Sequence, residues 1–189
     1  MQRIILVFGL LSGAIVSLIM SISMLTIYNN PSLTKGSGSM IVGYLSMIIA
    51  FALIYVAVKK YRDQHQNGVI SFGRAFTIGL FIALIASTLY VVTWAIVYHV
   101  FIPDFMDIYT AQMVEEAASG TPKEIEQTAA QVKQYKELYQ SPLLFALMTY
   151  AEILPVGLIV SLITAAVLKR KKNDSIKPSY RKGTKFTTQ

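Results

Sequence analysis

The chain of 189 residues contains no cysteine. This absence excludes disulfide bonds, thiolate metal sites, cysteine nucleophiles and palmitoylation. Charged residues are also scarce, because they make up only 14% of the chain, against roughly 25% in an average soluble domain. Since 54% of the residues are apolar and the mean hydropathy is positive, the composition indicates a protein that folds mostly in lipid.

Motifs of known chemistry are missing as well. The sequence holds no Gly-rich phosphate loop, nucleophile elbow, zinc-binding helix motif or dinucleotide fingerprint. We therefore predict that the protein is not an enzyme and has no cofactor. His65 and His99 are predicted to lie on opposite sides of the membrane, so they cannot share a metal ion. His99 together with Asp104 and Asp107 is a weaker candidate for a cation site.

The formal net charge of +7 raises the question of a nucleic-acid partner. Eight of the 17 basic residues, however, lie in the last 21 positions, as expected of a tail next to a membrane. We therefore predict no nucleic-acid partner. Residues 173–189 are predicted to form a disordered cytoplasmic tail that binds anionic lipid headgroups.

Four apolar segments are long enough to cross a bilayer, whose core of about 30 Å requires about 20 helical residues. They cover residues 4–28, 40–58, 75–101 and 143–168. The first is too long for a signal peptide and is predicted to be retained. The predicted fold is therefore all-α: one membrane domain, residues 1–172, built as a bundle of four transmembrane helices.

Basic residues in the short loops predict the orientation of the four segments. Lys59, Lys60, Arg62 and Arg74 lie between the second and third segments, whereas only Lys35 lies between the first and second. Basic loops stay in the cytoplasm, so both termini are predicted to be cytoplasmic. The cytoplasmic loop also supplies candidate site residues, which are Arg62, Asp63, Asn67, Gly68 and Arg74.

The long segment between the third and fourth spans is predicted to be an extracytoplasmic, amphipathic helical hairpin over residues 104–140. Thr121, Pro122 and Glu124 form a capping box with proline at the first helical position. Apolar residues then recur at helical spacing with charged residues between them. The hairpin could rest on the outer end of the bundle, or it could bind a protein partner, and the sequence leaves both open.

Small residues at four-residue spacing predict how the spans pack, because in lipid close backbone approach replaces hydrophobic burial as the source of association. Such rows favour packing within one chain over a dimer interface, although the oligomeric state stays open. The predicted packing residues are Gly9, Gly13, Ser17, Gly43, Gly79, Ala83, Gly157 and Ser161.

Glu152 is the only acidic residue inside a predicted span, and a charge within the membrane usually faces protein or a water-filled cavity. Pro155 follows three residues later and is expected to kink the helix. Glu152, Pro155, Tyr90 and Trp94 form the candidate site. Desolvation disfavours a charged carboxyl unless a cation or several donors face it. We therefore expect a neutral Glu152 that donates to a carbonyl or a hydroxyl.

Several stretches of the sequence resemble one known family. They are residues 43–50, 61–63, 67–76, 102–106 and 152–159, of which the segments beginning at Asn67 and Glu152 are the most specific. Together they resemble the bacterial membrane family catalogued as domain of unknown function 4199, found mostly in Bacteroidota. The resemblance implies a bacterial inner-membrane protein with four spans and implies no activity.

Three functions remain compatible with the sequence. The first is a non-catalytic accessory or envelope-associated bundle that acts through interactions. The second is a small proton- or ion-coupled carrier, or another ligand-binding membrane protein, centred on Glu152. A membrane enzyme acting on lipid is the least favoured. A dry, packed Glu152 would favour the first function, and a cavity that reaches it would favour the second.

Overall fold

The computed structural model describes residues 1–30 and 38–170, and this part of the chain is helical without any strand. Helix α1 spans Gln2–Asn29, α2 spans Gly38–His65 and α3 spans Phe72–Ile96. One turn of π-helix, Val97–Phe101, extends α3. Three further helices follow: α4 (Phe105–Ala117), α5 (Pro122–Gln140) and α6 (Pro142–Leu168).

Four helices are long and apolar enough to cross a membrane, namely Gln2–Asn29, Ile41–His65, Phe72–Phe101 and Pro142–Leu168. This confirms the predicted all-α class with four apolar helices, and these helices indicate a membrane-embedded protein. The predicted tail, residues 173–189, lies outside the described residues.

Two of these helices extend beyond the predicted spans. Helix α2 continues through its basic end to His65, because lysine and arginine are good helix formers and the apolar pattern marks only the part of a helix that contacts lipid. Helix α3 begins at Phe72 rather than residue 75, since the Ser71 side chain accepts a hydrogen bond from the Arg74 amide and caps the helix.

The four long helices pack closely against one another. Helix α1 contacts α2 and α3, helix α6 also contacts α2 and α3, and α2 contacts α3. The buried apolar core therefore runs along all four helices, from Ile5 in α1 to Leu168 in α6. Helices α4 and α5 pack on each other, and α5 packs on α6, so both lie at one end of the long helices, called here the α4–α5 end.

Glycines allow the backbones of two helix pairs to approach closely. A Cβ atom at Gly9 would lie 2.9 Å from Ile85 on α3, and one at Gly157 would lie 2.8 Å from Ala83 Cβ. Within the same interfaces Gly13 faces Ala86, Gly79 faces Ser161, and Ser17 is buried.

Gly43 does not have the packing role that its spacing predicted. No heavy atom of the described residues lies within 4 Å of the position that its Cβ would occupy, because Gly43 borders the cavity described below. The four-residue spacing cannot distinguish a glycine at a helix contact from one beside open space.

The segment of α4 and α5 is held by its cap and by contacts between the two helices. Thr121 and Glu124 exchange hydrogen bonds at the start of α5, with the Thr121 amide 2.6 Å from Glu124 Oε2. These bonds hold the pKa of Glu124 below its usual value. Lys136 of α5 donates to Asp107 of α4 at 2.9 Å.

Most of the residues that were predicted to form the cytoplasmic loop have structural roles in the turn between α2 and α3. Asn67 and Gly68 both have positive φ, and the Gly68 amide donates to the Arg62 carbonyl, which ends α2 in a left-handed turn. The Arg62 side chain pairs with Asp63 at 2.7 Å, and Arg74 donates to Gln66 at 3.0 Å. These contacts are local and stabilise the turn.

Candidate functional site

A cavity of about 360 Å³ lies among the long helices at the α4–α5 end. Its wall is formed by the ends of α1, α2, α3 and α6 that lie nearest to α4 and α5, and by α4 and α5 themselves. The cavity is therefore bounded by every helix in residues 1–30 and 38–170. Such a volume is typical of the sites that hold small organic molecules in proteins.

Glu152 lies in the wall of this cavity, ten residues into α6 and about 15 Å along its axis. Its side chain is exposed to the cavity. Within the described part of the chain, no hydrogen bond joins its carboxyl group to a side chain or to the backbone, either as donor or as acceptor. The neutral, hydrogen-bonded Glu152 expected from the sequence therefore has no partner among the described residues.

Tyr90 and Trp94 also line the cavity, six and two residues before the end of α3, and both are 7% exposed. Their i, i+4 spacing places both side chains on the same face of α3. Tyr90 lies close enough to Glu152 for the tyrosine to respond to the charge of the carboxyl. The structure thus brings together three of the four residues of the candidate site.

Pro155, the fourth predicted residue, is not part of the cavity wall. It lies inside α6 and is exposed, and the helix continues through it to Leu168. Its ring still leaves the Ala151 carbonyl without an amide donor from position 155. The structure therefore does not place Pro155 in the cavity wall together with Glu152.

An aromatic cluster joins the cavity wall to the surrounding helices. Trp94 contacts Phe105 of α4 edge to face, with ring centroids 5.6 Å apart, and stacks on Phe145 of α6 at 6.4 Å. Tyr139 of α5 meets Phe145 edge to face at 5.2 Å. Edge-to-face and offset contacts are the favoured geometries of aromatic pairs, so this cluster fixes α4 and α5 over the cavity.

Tyrosine hydroxyls from α4 and α5 are among the other polar groups of the cavity wall. Burial raises the pKa of Tyr139 to about 12; a hydrogen bond from Trp94 opposes the rise, and the Glu152 charge adds to it. Burial also raises the pKa of Tyr109, with smaller contributions from Tyr135 and Glu116. Both hydroxyls therefore stay neutral at physiological pH and can donate hydrogen bonds.

Most of the residues that line the cavity could not be identified from the sequence. The methionines of the wall come from four different helices, and no spacing relates them to Glu152: Met20, Met24, Met47, Met106 and Met148. Tyr135 and Tyr139 did carry a signal, since both belong to the apolar stripe of α5. That stripe indicated an amphipathic helix but did not show what the helix covers.

The weaker candidate for a cation site does not form a cluster. Asp107 pairs with Lys136. In the part of the chain that the structure describes, no group of three or more His, Cys, Asp or Glu residues is placed to hold a metal ion.

The fold and the cavity define a class of protein: a membrane-embedded helical protein with an internal, ligand-sized space. A model of the family described as Protein of unknown function (DUF4199) matches residues 7–170, and the chain belongs to this family. This confirms the resemblance found in the sequence. No curated protein and no solved structure matches the chain.

Proposed function

We propose that the protein is a ligand-binding membrane protein or small carrier, and not an enzyme, and that it binds a small amphiphilic molecule in the cavity at Glu152. The observation that carries this proposal is the cavity of about 360 Å³ that reaches an intramembrane carboxyl. A carboxyl in lipid costs about 2.5–3.5 kcal/mol on insertion scales. A bound ligand that interacts with Glu152 would offset that cost.

The lining supports a ligand with a large apolar part. Five methionines, one tryptophan, six tyrosines and one phenylalanine provide most of the wall, whereas Glu152 provides the only carboxyl group among the described lining residues. Pockets of this kind bind their ligands mainly through apolar and aromatic contacts and orient them with a few polar groups. Phosphates and sugars, which need many donors, fit this wall poorly.

A dry, packed Glu152 would have favoured the accessory function, whereas a cavity that reaches Glu152 favours ligand binding. The geometry of Glu152 therefore favours ligand binding over that function. A partner protein on α4 and α5 remains a second proposal, because α5 has no buried residue and Ile125 is 45% exposed. A hairpin that covers the cavity would also bring such a partner close to the ligand.

Ligand binding can be measured with the single tryptophan of the chain, because Trp94 lines the cavity. Three probes share a phenylbutyl chain and carry a trimethylammonium, a tert-butyl or a sulfonate head. In an uncharged maltoside detergent, at least one probe is expected to change Trp94 fluorescence saturably. Gly43→Phe should weaken this binding at least about tenfold, because its ring would occupy the open space beside Gly43.

A matched control is available at Gly73 in α3. No heavy atom lies within 4 Å of its Cβ position either, but Gly73 is not part of the cavity wall. Gly73→Phe should therefore bind the probes as the unmodified protein does. If none of the three probes changes the fluorescence saturably, or if both glycine variants bind equally well, the proposed function is wrong.

We also propose that the protein lies in the bacterial inner membrane with both termini and the α2–α3 turn in the cytoplasm, and with the α4–α5 end outside. The basic residues around the turn support this orientation. The chain has no cysteine, so single cysteines can be introduced directly at the exposed Gln64 and Ser119. In intact cells, an impermeant thiol reagent should label Ser119→Cys and leave Gln64→Cys unmodified. The reverse pattern would invert the proposed orientation.

A further inference from the structure

Beyond the existence of a site, the charges of the cavity indicate the chemistry of its ligand. Among the described residues that line the cavity, Glu152 is the only acidic one, and none is lysine, arginine or histidine. A carboxyl group in such surroundings has its charged form disfavoured unless a cation faces it. The described residues of the wall do not supply that cation, and a cationic ligand would supply it.

We infer that the ligand of this cavity is a hydrophobic organic cation, an ammonium ion with one or more apolar substituents, whose charged head binds at Glu152. This inference rests on the proposed function, because it specifies the chemical class of the molecule that the same cavity binds. Four further features of the structure support it.

Aromatic rings surround the position where the charged head would lie. Tyr90 and Tyr139 both lie close enough to Glu152 to respond to its charge, and Trp94, which is hydrogen-bonded to Tyr139, lines the same cavity. The faces of tryptophan and tyrosine attract ammonium groups, most strongly where water is excluded. A carboxylate combined with such faces discriminates a cation from a neutral molecule of the same shape.

The rest of the wall fits the apolar substituents of the ligand. The five methionines are unbranched and adapt to irregular shapes, and their thioether groups make favourable contacts with aromatic rings. They extend the apolar surface from Met148, one turn from Glu152, to Met20 and Met47 on α1 and α2. An inorganic ion has no apolar part that could make contacts with this surface.

A metal ion is also disfavoured by the number of oxygen ligands. Calcium and magnesium bind six or more oxygen atoms, several of them usually from carboxylates. Among the described residues, no group of three His, Cys, Asp or Glu side chains could hold a metal ion. One carboxyl in an aromatic wall suits an organic cation, which needs a single counter-charge and no coordination shell.

The charge of the α4–α5 end favours the approach of cations. Residues 102–141 contain seven acidic residues and three lysines, an excess of four negative charges. Most of these side chains are exposed. A surface of one sign raises the local concentration of ligands of the opposite sign and repels those of its own sign. A cation would therefore reach the cavity more readily than an anion from this end.

The three phenylbutyl probes test this inference directly, because the tert-butyl head has the shape of trimethylammonium without its charge. In uncharged maltoside, which contains no competing ammonium group, the trimethylammonium probe should bind at least about tenfold more tightly than the tert-butyl probe. The sulfonate probe should bind most weakly. The readout is again the fluorescence of Trp94.

The variant Glu152→Gln assigns the preference to the carboxyl group. Glu152→Gln should bind the trimethylammonium probe and the tert-butyl probe with nearly equal affinity. Unchanged binding of the tert-butyl probe would show that the cavity is intact. A preference for the cation that persists in Glu152→Gln would overturn the role of Glu152. Tighter binding of the tert-butyl or sulfonate probe to the unmodified protein would overturn the cation inference and leave the proposed function standing. Failure of all three probes would overturn both.

Discussion

Replacing Trp94 with alanine is expected to destabilise the protein more than any other single truncation in the cavity wall. Trp94 is 7% exposed and contacts aromatic rings of α4 and α6. Truncation of a buried tryptophan to alanine costs about 3–5 kcal/mol in soluble cores. In lipid the transfer part of this cost is smaller, so we expect about 3 kcal/mol, arising from lost contacts. The thermal unfolding midpoint in detergent, followed by circular dichroism, measures it.

The matched control for Trp94→Ala is Phe81→Ala in the same helix. Phe81 is 47% exposed on the outer surface of α3, so its truncation should change the midpoint little. Amide exchange in α4 should also accelerate in Trp94→Ala alone, because the Trp94–Phe105 contact attaches α4 to the long helices. Equal midpoints for the two variants would mean that the aromatic cluster does not hold α4 in place.

Much of this fold could be predicted from the sequence because lipid imposes a simple rule on it. A segment that crosses a membrane must satisfy its own backbone hydrogen bonds, so an apolar run of sufficient length predicts a helix. The four runs were recognised for this reason, and the capping box at Thr121 predicted the start of α5. The ends of α2 and α3 were less accurate. Charged helix formers, rather than hydropathy, determine where α2 ends, and the cap at Ser71 determines where α3 begins.

The candidate site was predicted only in part. Glu152 was found because a charge inside an apolar run is conspicuous, and Tyr90 and Trp94 because aromatic residues recur at helical spacing. Pro155 was assigned to the same site by its closeness in sequence, yet it lies away from the cavity. Three residues along a helix can face different neighbours, and sequence distance alone does not reveal which.

The cavity itself has no counterpart in the sequence. It depends on the helices lying apart at the α4–α5 end, where Gly43 faces open space, while Gly157 meets Ala83 deeper in the membrane. Both glycines belong to rows with the same spacing. Their surroundings differ because of how the helices are arranged. That arrangement is set by contacts between residues distant in sequence, such as Thr88 and Tyr150.

Those two glycines therefore allow a direct test of the packing. At Gly157 an added Cβ would lie 2.8 Å from Ala83 Cβ and 3.0 Å from the ring of Phe51. The Ala83 methyl group cannot turn away, because alanine has no side-chain rotamers, so α3 and α6 would have to separate. Overpacking of this kind costs about 1–3 kcal/mol. Gly157→Ala is expected to lower the thermal unfolding midpoint in detergent accordingly.

Gly43→Ala provides the matched comparison, because it makes the same chemical change in a helix where nothing lies within 4 Å of the new methyl group. Alanine is favoured over glycine in helices by up to about 1 kcal/mol, and this gain applies to both variants. The difference between their midpoints therefore reports the contact alone. We expect Gly43→Ala to be at least as stable as the unmodified protein and Gly157→Ala to be clearly less stable. If both variants gained stability, α3 and α6 could not approach each other as closely as Gly157 and Ala83 do here.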